Sequence, residues 1–163
     1  MVRFFSGCDV RPAIARAFDY LRRVQRADGS WVPLWFGNQR GPNQENPVYG
    51  TSRVLLCAGL NRDEAWRKAV LRALTWLTDA QNPDGGFGGA PGIESTIEET
   101  ALATEALASH PAANLARLWL AENTRIGTRF DPSPFGLYFA KLWYWERLYP
   151  LIFTAAALGR GPS

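Results

Sequence analysis

Gln25-Arg-Ala-Asp-Gly-Ser-Trp31 and Gln81-Asn-Pro-Asp-Gly-Gly-Phe87 are two copies of one pattern, a glutamine, an Asp-Gly turn and an aromatic residue in the same register. Tyr20 precedes Trp31 by eleven positions and Trp76 precedes Phe87 by the same eleven. Trp119 and Phe130 repeat the offset a third time, with Thr124 in place of the glutamine and the Asp-Gly pair lost. A long repeat with loop insertions suits stacked helix pairs.

The segments between these turns are of two kinds. The first is amphipathic. Pro12 suits a first helical turn, and Ile14, Ala17, Leu21 and Val24 fall on one stripe. Ala65–Ala80 repeats the pattern with Trp66, Ala69, Val70, Ala73 and Leu77, and Ala112–Ala121 is a shorter version. The second kind is apolar or small nearly all round, as in Thr51–Leu60, Thr100–Leu107 and Leu151–Leu158. Ser95-Thr-Ile-Glu98 reads as a capping box opening the second of these. A helix apolar on every side is buried on every side. The order outer, inner, outer, inner predicts an all-α, double-walled arrangement without a β-sheet. Leu55, Leu102 and Leu151 are expected on inner helices, and Trp66 and Arg72 on outer ones.

Composition narrows the function classes. Hydrophobic residues make up 47% of the 163 positions, enough to bury a core. The excess of 18 Lys and Arg over 15 Asp and Glu is small and dispersed, so no footprint for nucleic acid is present. Aromatic residues reach 13% and gather between Phe130 and Phe153. Met1–Val10 contains Arg3 and Asp9 and lacks the apolar core of a secretory signal. The apolar run Leu148–Leu158 is shorter than the roughly 20 residues a membrane-spanning helix needs. Cys8 and Cys57, far apart in sequence, suit a reducing compartment. A cytoplasmic location follows as the expectation, with peripheral contact to the inner membrane allowed. His110 makes no ligand cluster with Cys8 and Cys57, and no metal or other cofactor is expected.

The turns resemble the glutamine–tryptophan repeats of squalene–hopene-type triterpene cyclases. Gly29-Ser-Trp31 followed by Trp35-Phe-Gly37 and Tyr49-Gly-Thr51 is similar to a succession in that family. So is Tyr138-Phe-Ala-Lys-Leu-Trp-Tyr-Trp145 running into Tyr149-Pro150-Leu151 and Ala157-Leu-Gly-Arg160. The resemblance covers nearly the whole chain, in order. Leu142 and Trp145 stand where the family has tyrosines, and Glu146-Arg147 where it has Arg first, which suggests a divergent branch. The resemblance implies an α/α toroid, with residues 1–163 as half of one and the N-terminal half of the cyclase as the missing partner. It implies a polyprenoid substrate such as squalene. The relatives that share the fold and bind zinc, the prenyltransferase β-subunits, use an Asp, Cys and His set that this chain lacks.

In the family a glutamine–tryptophan repeat is structural, and that role carries to Gln25, Trp31, Gln81 and Phe87, each Gln amide being expected to cap a neighbouring helix end. Trp35, Tyr49, Tyr138 and Trp145 are the candidate substrate-cavity residues. Polyene cyclisation moves a cation through the substrate, and aromatic faces stabilise it without trapping it, by up to ~2 kcal/mol each when desolvated. Tyr138, Leu142, Trp145 and Tyr149 would share one helical face at i, i+4, i+7 and i+11. The alternative for all of these rings is ordinary core packing. The family initiates with an aspartic acid in an Asp-x-Asp-Asp motif. The seven aspartates here, at positions 9, 19, 28, 63, 79, 84 and 131, contain no such motif, so no catalytic residue is assigned. Glu98 and Glu99 are neighbours whose side chains would point about 100° apart on a helix, which argues against a close acid–base pair. With the toroid halved, Thr51–Leu60 and Thr100–Leu107 should present apolar surface. Two functions remain in play: part of a metal-free class II terpene cyclase, and a non-enzymatic α/α-repeat module binding a lipid or a protein.

Overall fold

The computed structural model describes residues 9–108 and 110–159. Cys8 and Arg160 of the sequence reading lie outside the described residues. Among the described residues there are six α-helices: α1 Arg11–Val24, α2 Pro47–Leu55, α3 Glu64–Asp79, α4 Ile97–Leu107, α5 Pro111–Asn123 and α6 Tyr149–Gly159.

The even-numbered helices form an inner row. α4 lies between α2 and α6 and packs on both. α5 packs on α4, α3 on α2 and α4, and α1 on α3. Burial follows this order. On α3 only Trp66, Ala69, Ala73 and Leu77 are buried, one stripe at helical spacing. On α4 nine of eleven residues are buried, Ile97 through Thr104 and Leu107. Leu55 and Leu102 are buried on the inner row, and Arg72 is exposed on α3, as expected. Trp66, although on an outer helix, is a central core residue: its ring meets Phe18 edge-on at 4.7 Å and lies 6.1 Å from Trp31.

Several local expectations are corrected. On α1 the stripe Ile14, Ala17, Leu21, Val24 is mostly exposed, and the helix anchors through buried Phe18, with half-buried Leu21 packed beside it. α2 begins at Pro47, four positions early, because the Asn46 side chain accepts the Tyr49 N–H and caps it. It ends at Leu55, and Ala58–Leu60 is a separate 3₁₀ turn. The capping box of α4 is shifted by one. Thr96 is the N-cap, accepting from Glu99 N–H and donating its hydroxyl to the Glu99 carboxylate. The same Ser/Thr-x-x-Glu spacing occurs in both registers, so pattern alone could not choose between them.

The expectation of helices only is overturned by a small antiparallel sheet in the order β1–β2–β3, with β1 Phe36–Asn38, β2 Phe135–Leu137 and β3 Leu142–Tyr144. Gly37 pairs with Gly136 at its centre. A Cβ on Gly37 would sit 2.1 Å from the Gln44 carbonyl oxygen, and one on Gly136 2.0 Å from that of Leu142. Only glycine permits such approach. The sheet also removes the predicted helical face. Tyr138–Ala140 is a single 3₁₀ turn, Lys141 takes a left-handed conformation at φ 50°, and the chain then continues as β3. Tyr138, Leu142, Trp145 and Tyr149 therefore do not share one helix.

The apolar surface is also not where it was expected. α4 is buried, and although Leu60 is exposed, most of the exposed large apolar side chains near the sheet are Leu34, Trp35, Phe139, Leu142, Trp145 and Leu148. Leu151 lies on the inner-row helix α6, as expected, but its side chain is exposed together with Ile152 and Leu158. Among the described residues no helix is long and apolar enough to cross a membrane.

Candidate substrate-cavity wall

The glutamine turns form a repeated piece of hydrogen-bonded architecture. Gln25 Nε2 donates to the Gly29 carbonyl at 2.9 Å and to the Ala69 carbonyl of α3 at 2.8 Å. Gln81 Nε2 donates to Gly85 at 2.8 Å and to Ala112 of α5 at 2.9 Å. Each amide thus closes its own turn and ties it to the next outer helix. The partners are carbonyls within α3 and near the start of α5, so the glutamines reinforce helix walls; they do not cap orphaned helix ends as expected. Gly29 and Gly85 adopt φ of 97° and 89°, and Asp28 and Asp84 accept the N–H two residues on. The aromatic backbone closes the motif inward: Trp31 N–H donates to Thr51 Oγ1 and Phe87 N–H to Thr100 Oγ1, both at 2.9 Å. Gln25, Trp31, Gln81 and Phe87 are thus joined into the helical framework. Replacing Gln81 by Ala removes two bonds to partly buried carbonyls and is expected to lower stability by ~1–3 kcal/mol, measured as a shift in urea midpoint with unchanged slope.

The framework carries an aromatic cluster on one side of the sheet. Phe135 is its centre, 2% exposed, with Phe36 stacked at 5.0 Å, Tyr49 at 5.3 Å, and Tyr149 and Tyr144 edge-on at 5.5 and 6.4 Å. Phe153 stacks on Tyr149 at 5.3 Å. Burial raises the phenol pKa of Tyr49 and of Tyr144, keeping both neutral. The arrangement offers ring faces to a positive charge, and the Arg53 guanidinium lies close enough to Tyr49 to oppose part of its upward shift.

Of the four sequence-predicted cavity residues, Tyr49 lies in this cluster. Trp35 and Tyr138 are set beside it, each about 6 Å from Phe139, and Trp35 is exposed. Trp145 is 57% exposed and lines a separate groove of about 600 Å³, with Trp119 and the ion pairs Arg40–Glu94 and Arg129–Asp131. The four do not converge. Phe36, Phe135, Tyr144 and Phe153 were missed. The Phe-Gly steps at Phe36-Gly37 and Phe135-Gly136 were the available signal for two close-packed strands.

Beneath the cluster lie two buried acids that sequence reasoning set aside. Glu98 is 2% exposed and Glu99 1%. Glu99 Oε1 accepts from Asn38 Nδ2 at 3.0 Å and Asn46 Nδ2 at 2.8 Å. Glu98 Oε1 accepts from Ser133 N–H at 2.8 Å, while its Oε2 and the Ser133 hydroxyl have no partner. Burial, then the neighbouring Glu99 charge, pushes the Glu98 pKa up to about 7. Among the described residues no group of three or more His, Cys, Asp or Glu is placed to hold a metal ion.

The structure is thus a two-layer helical scaffold stitched by glutamine turns, with an aromatic cluster on one side of its small sheet. The profile of the squalene–hopene cyclase C-terminal domain matches residues 1–129, and the chain belongs to that family. A squalene–hopene cyclase of Zymomonas mobilis is 30% identical over 128 residues, covering 69% of this chain and 18% of its own length. A terpene cyclase–glycosyl transferase fusion protein of Humicola fuscoatra is 36% identical over 144 residues, covering 72% of this chain and 10% of its own. A cycloartenol synthase of Dictyostelium discoideum is 32% identical over 133 residues, covering 72% and 17%. The chain thus spans less than a fifth of the length of these relatives.

Proposed function

We propose that this chain forms part of the cavity wall of a class II terpene cyclase acting on squalene or a related polyprenoid. The observation that carries the reading is the ring cluster around Phe135 in a chain of this family. Residues 1–163 serve as a toroid segment, and the remainder of the cyclase supplies the acid that initiates the reaction. Tyr49, Phe36 and Tyr149, packed around the buried Phe135, present π-faces to cationic intermediates, with Trp35 and Tyr138 at the margin of the wall. The setting is cytoplasmic, with peripheral membrane contact.

The purified chain incubated with squalene is expected to give no cyclised product above a blank, since it has no Asp-x-Asp-Asp acid. When the chain replaces the matching segment of the Zymomonas mobilis enzyme, the hybrid is expected to cyclise squalene, read by gas chromatography and mass spectrometry. A folded hybrid without product would overturn the reading. A second reading, a non-catalytic module that binds a lipid or a protein, is favoured by the exposed Trp35, Phe139, Leu142 and Leu148. It gains if the hybrid is inactive while the chain alone binds polyprenoid with quenching of tryptophan fluorescence.

A further inference from the structure

The acids Glu98 and Glu99 occupy consecutive positions in the first turn of α4, and each reaches a different part of the wall. Glu99 holds Asn38 at the end of β1 and Asn46, the residue that caps α2 just before Tyr49. Glu98 holds the backbone of Ser133, two residues before Phe135 at the start of β2. Neither is in an ion pair among the described residues. Two adjacent buried carboxylates without a cation are costly, so a proton is retained where the negative charge is least supported. The donors decide where. Glu99 receives two amide N–H groups and the Thr96 hydroxyl. Glu98 Oε1 accepts the Ser133 N–H, while its Oε2 has no hydrogen-bond partner among the described residues.

We propose that Glu98 and Glu99 are positioning residues of the aromatic wall, with Glu99 fixing the β1 side through Asn38 and Asn46 and Glu98 as a neutral acid fixing the β2 side, so that ionisation of Glu98 displaces Phe135 against Phe36 and Tyr49. The charged groups around Glu98 are few. Glu99 is its neighbour on α4, and Asp131, in the segment leading to Ser133, is exposed and paired with Arg129. α6, which also packs on α4, contributes no charged side chain among its described residues. Nothing on these elements neutralises a Glu98 carboxylate. The inference rests on the cavity-wall reading for its purpose. Its test reads ring packing directly, so it can fail while that reading stands.

The test is near-ultraviolet circular dichroism of the 163-residue chain between pH 5.5 and 8.5, with the far-ultraviolet signal as a control for folding. The wild type is expected to change its aromatic band in one single-proton step near neutral pH while helix content stays constant. Glu98→Gln, the neutral isostere, is expected to hold the low-pH spectrum throughout. Glu99→Ala is expected to alter the spectrum at every pH by freeing Asn38 and Asn46. A flat wild-type spectrum overturns the proposal. So does a step that persists in Glu98→Gln. If Glu98→Gln does not fold, the wild-type titration alone decides, because a near-ultraviolet step accompanied by loss of helix also overturns it.

Discussion

Replacing Phe87 by Ala is expected to destabilise the chain by about 3–5 kcal/mol. Phe87 is completely buried in the main hydrophobic cluster with Trp31, Trp66, Ala69 and Leu77. Its backbone N–H and carbonyl both engage Thr100 Oγ1, and its carbonyl also receives Thr96 N–H, the cap of α4. Removing the ring leaves a cavity where the second turn meets the inner row, and the surrounding helices cannot collapse into it without disturbing the Gln81 bonds. Against a marginal total stability of roughly 5–15 kcal/mol, the loss is large. Urea or thermal unfolding measures it directly. A loss below about 1 kcal/mol would remove the structural role assigned to this turn. Trp31→Ala should behave similarly and in addition free the Leu21 carbonyl, which the indole N–H now bonds at 2.7 Å.

The second large effect is a dependence of stability on pH through Glu98. Its pKa is about 7 in the folded chain against the ordinary 4.5. The folded state therefore binds the proton more tightly than the unfolded one. The stabilisation is fully present below about pH 4.5, falls as pH rises towards 7, and is gone above it. The gap corresponds to about 3 kcal/mol between the two limits. Comparing urea midpoints at pH 5 and pH 8 for wild type and Glu98→Gln isolates the contribution. The variant is expected to lose most of the difference and to be the more stable protein at pH 8. Equal pH slopes in the two proteins would show that Glu98 ionises as freely folded as unfolded.

The two effects belong to different levels of the molecule. Phe87 acts through packing density, which is insensitive to pH. Glu98 acts through the desolvation of a charge, which a protonation removes. The framework that positions the wall and the acids that trim its geometry can therefore be perturbed separately.

The amino-acid sequence by itself determined the helical scaffold and its two layers. The turn at Gln25–Trp31 repeats at Gln81–Phe87 because the bonds that shape it are local, an Asp side chain accepting the N–H two residues on and the Gln amide donating to the carbonyl four residues on, while longer-range bonds tie it to the neighbouring helices. The difference between α3 and α4 was legible because a half-buried and a fully buried helix carry different apolar periodicities. Tertiary structure alone decided the sheet, the aromatic cluster and the buried acids. Strands of three residues are too short to show a period of two, and β1 meets β2 across nearly a hundred intervening positions. In isolation 138–149 reads as a helical face, yet pairing with distant backbone turns it into a 3₁₀ turn and a strand. In sequence Glu98 reads as a capping-box residue and the Glu98-Glu99 pair as no acid–base pair, because their partners Ser133, Asn38 and Asn46 lie far off in sequence. A carboxyl's environment is set by what folds over it, and no local pattern encodes that.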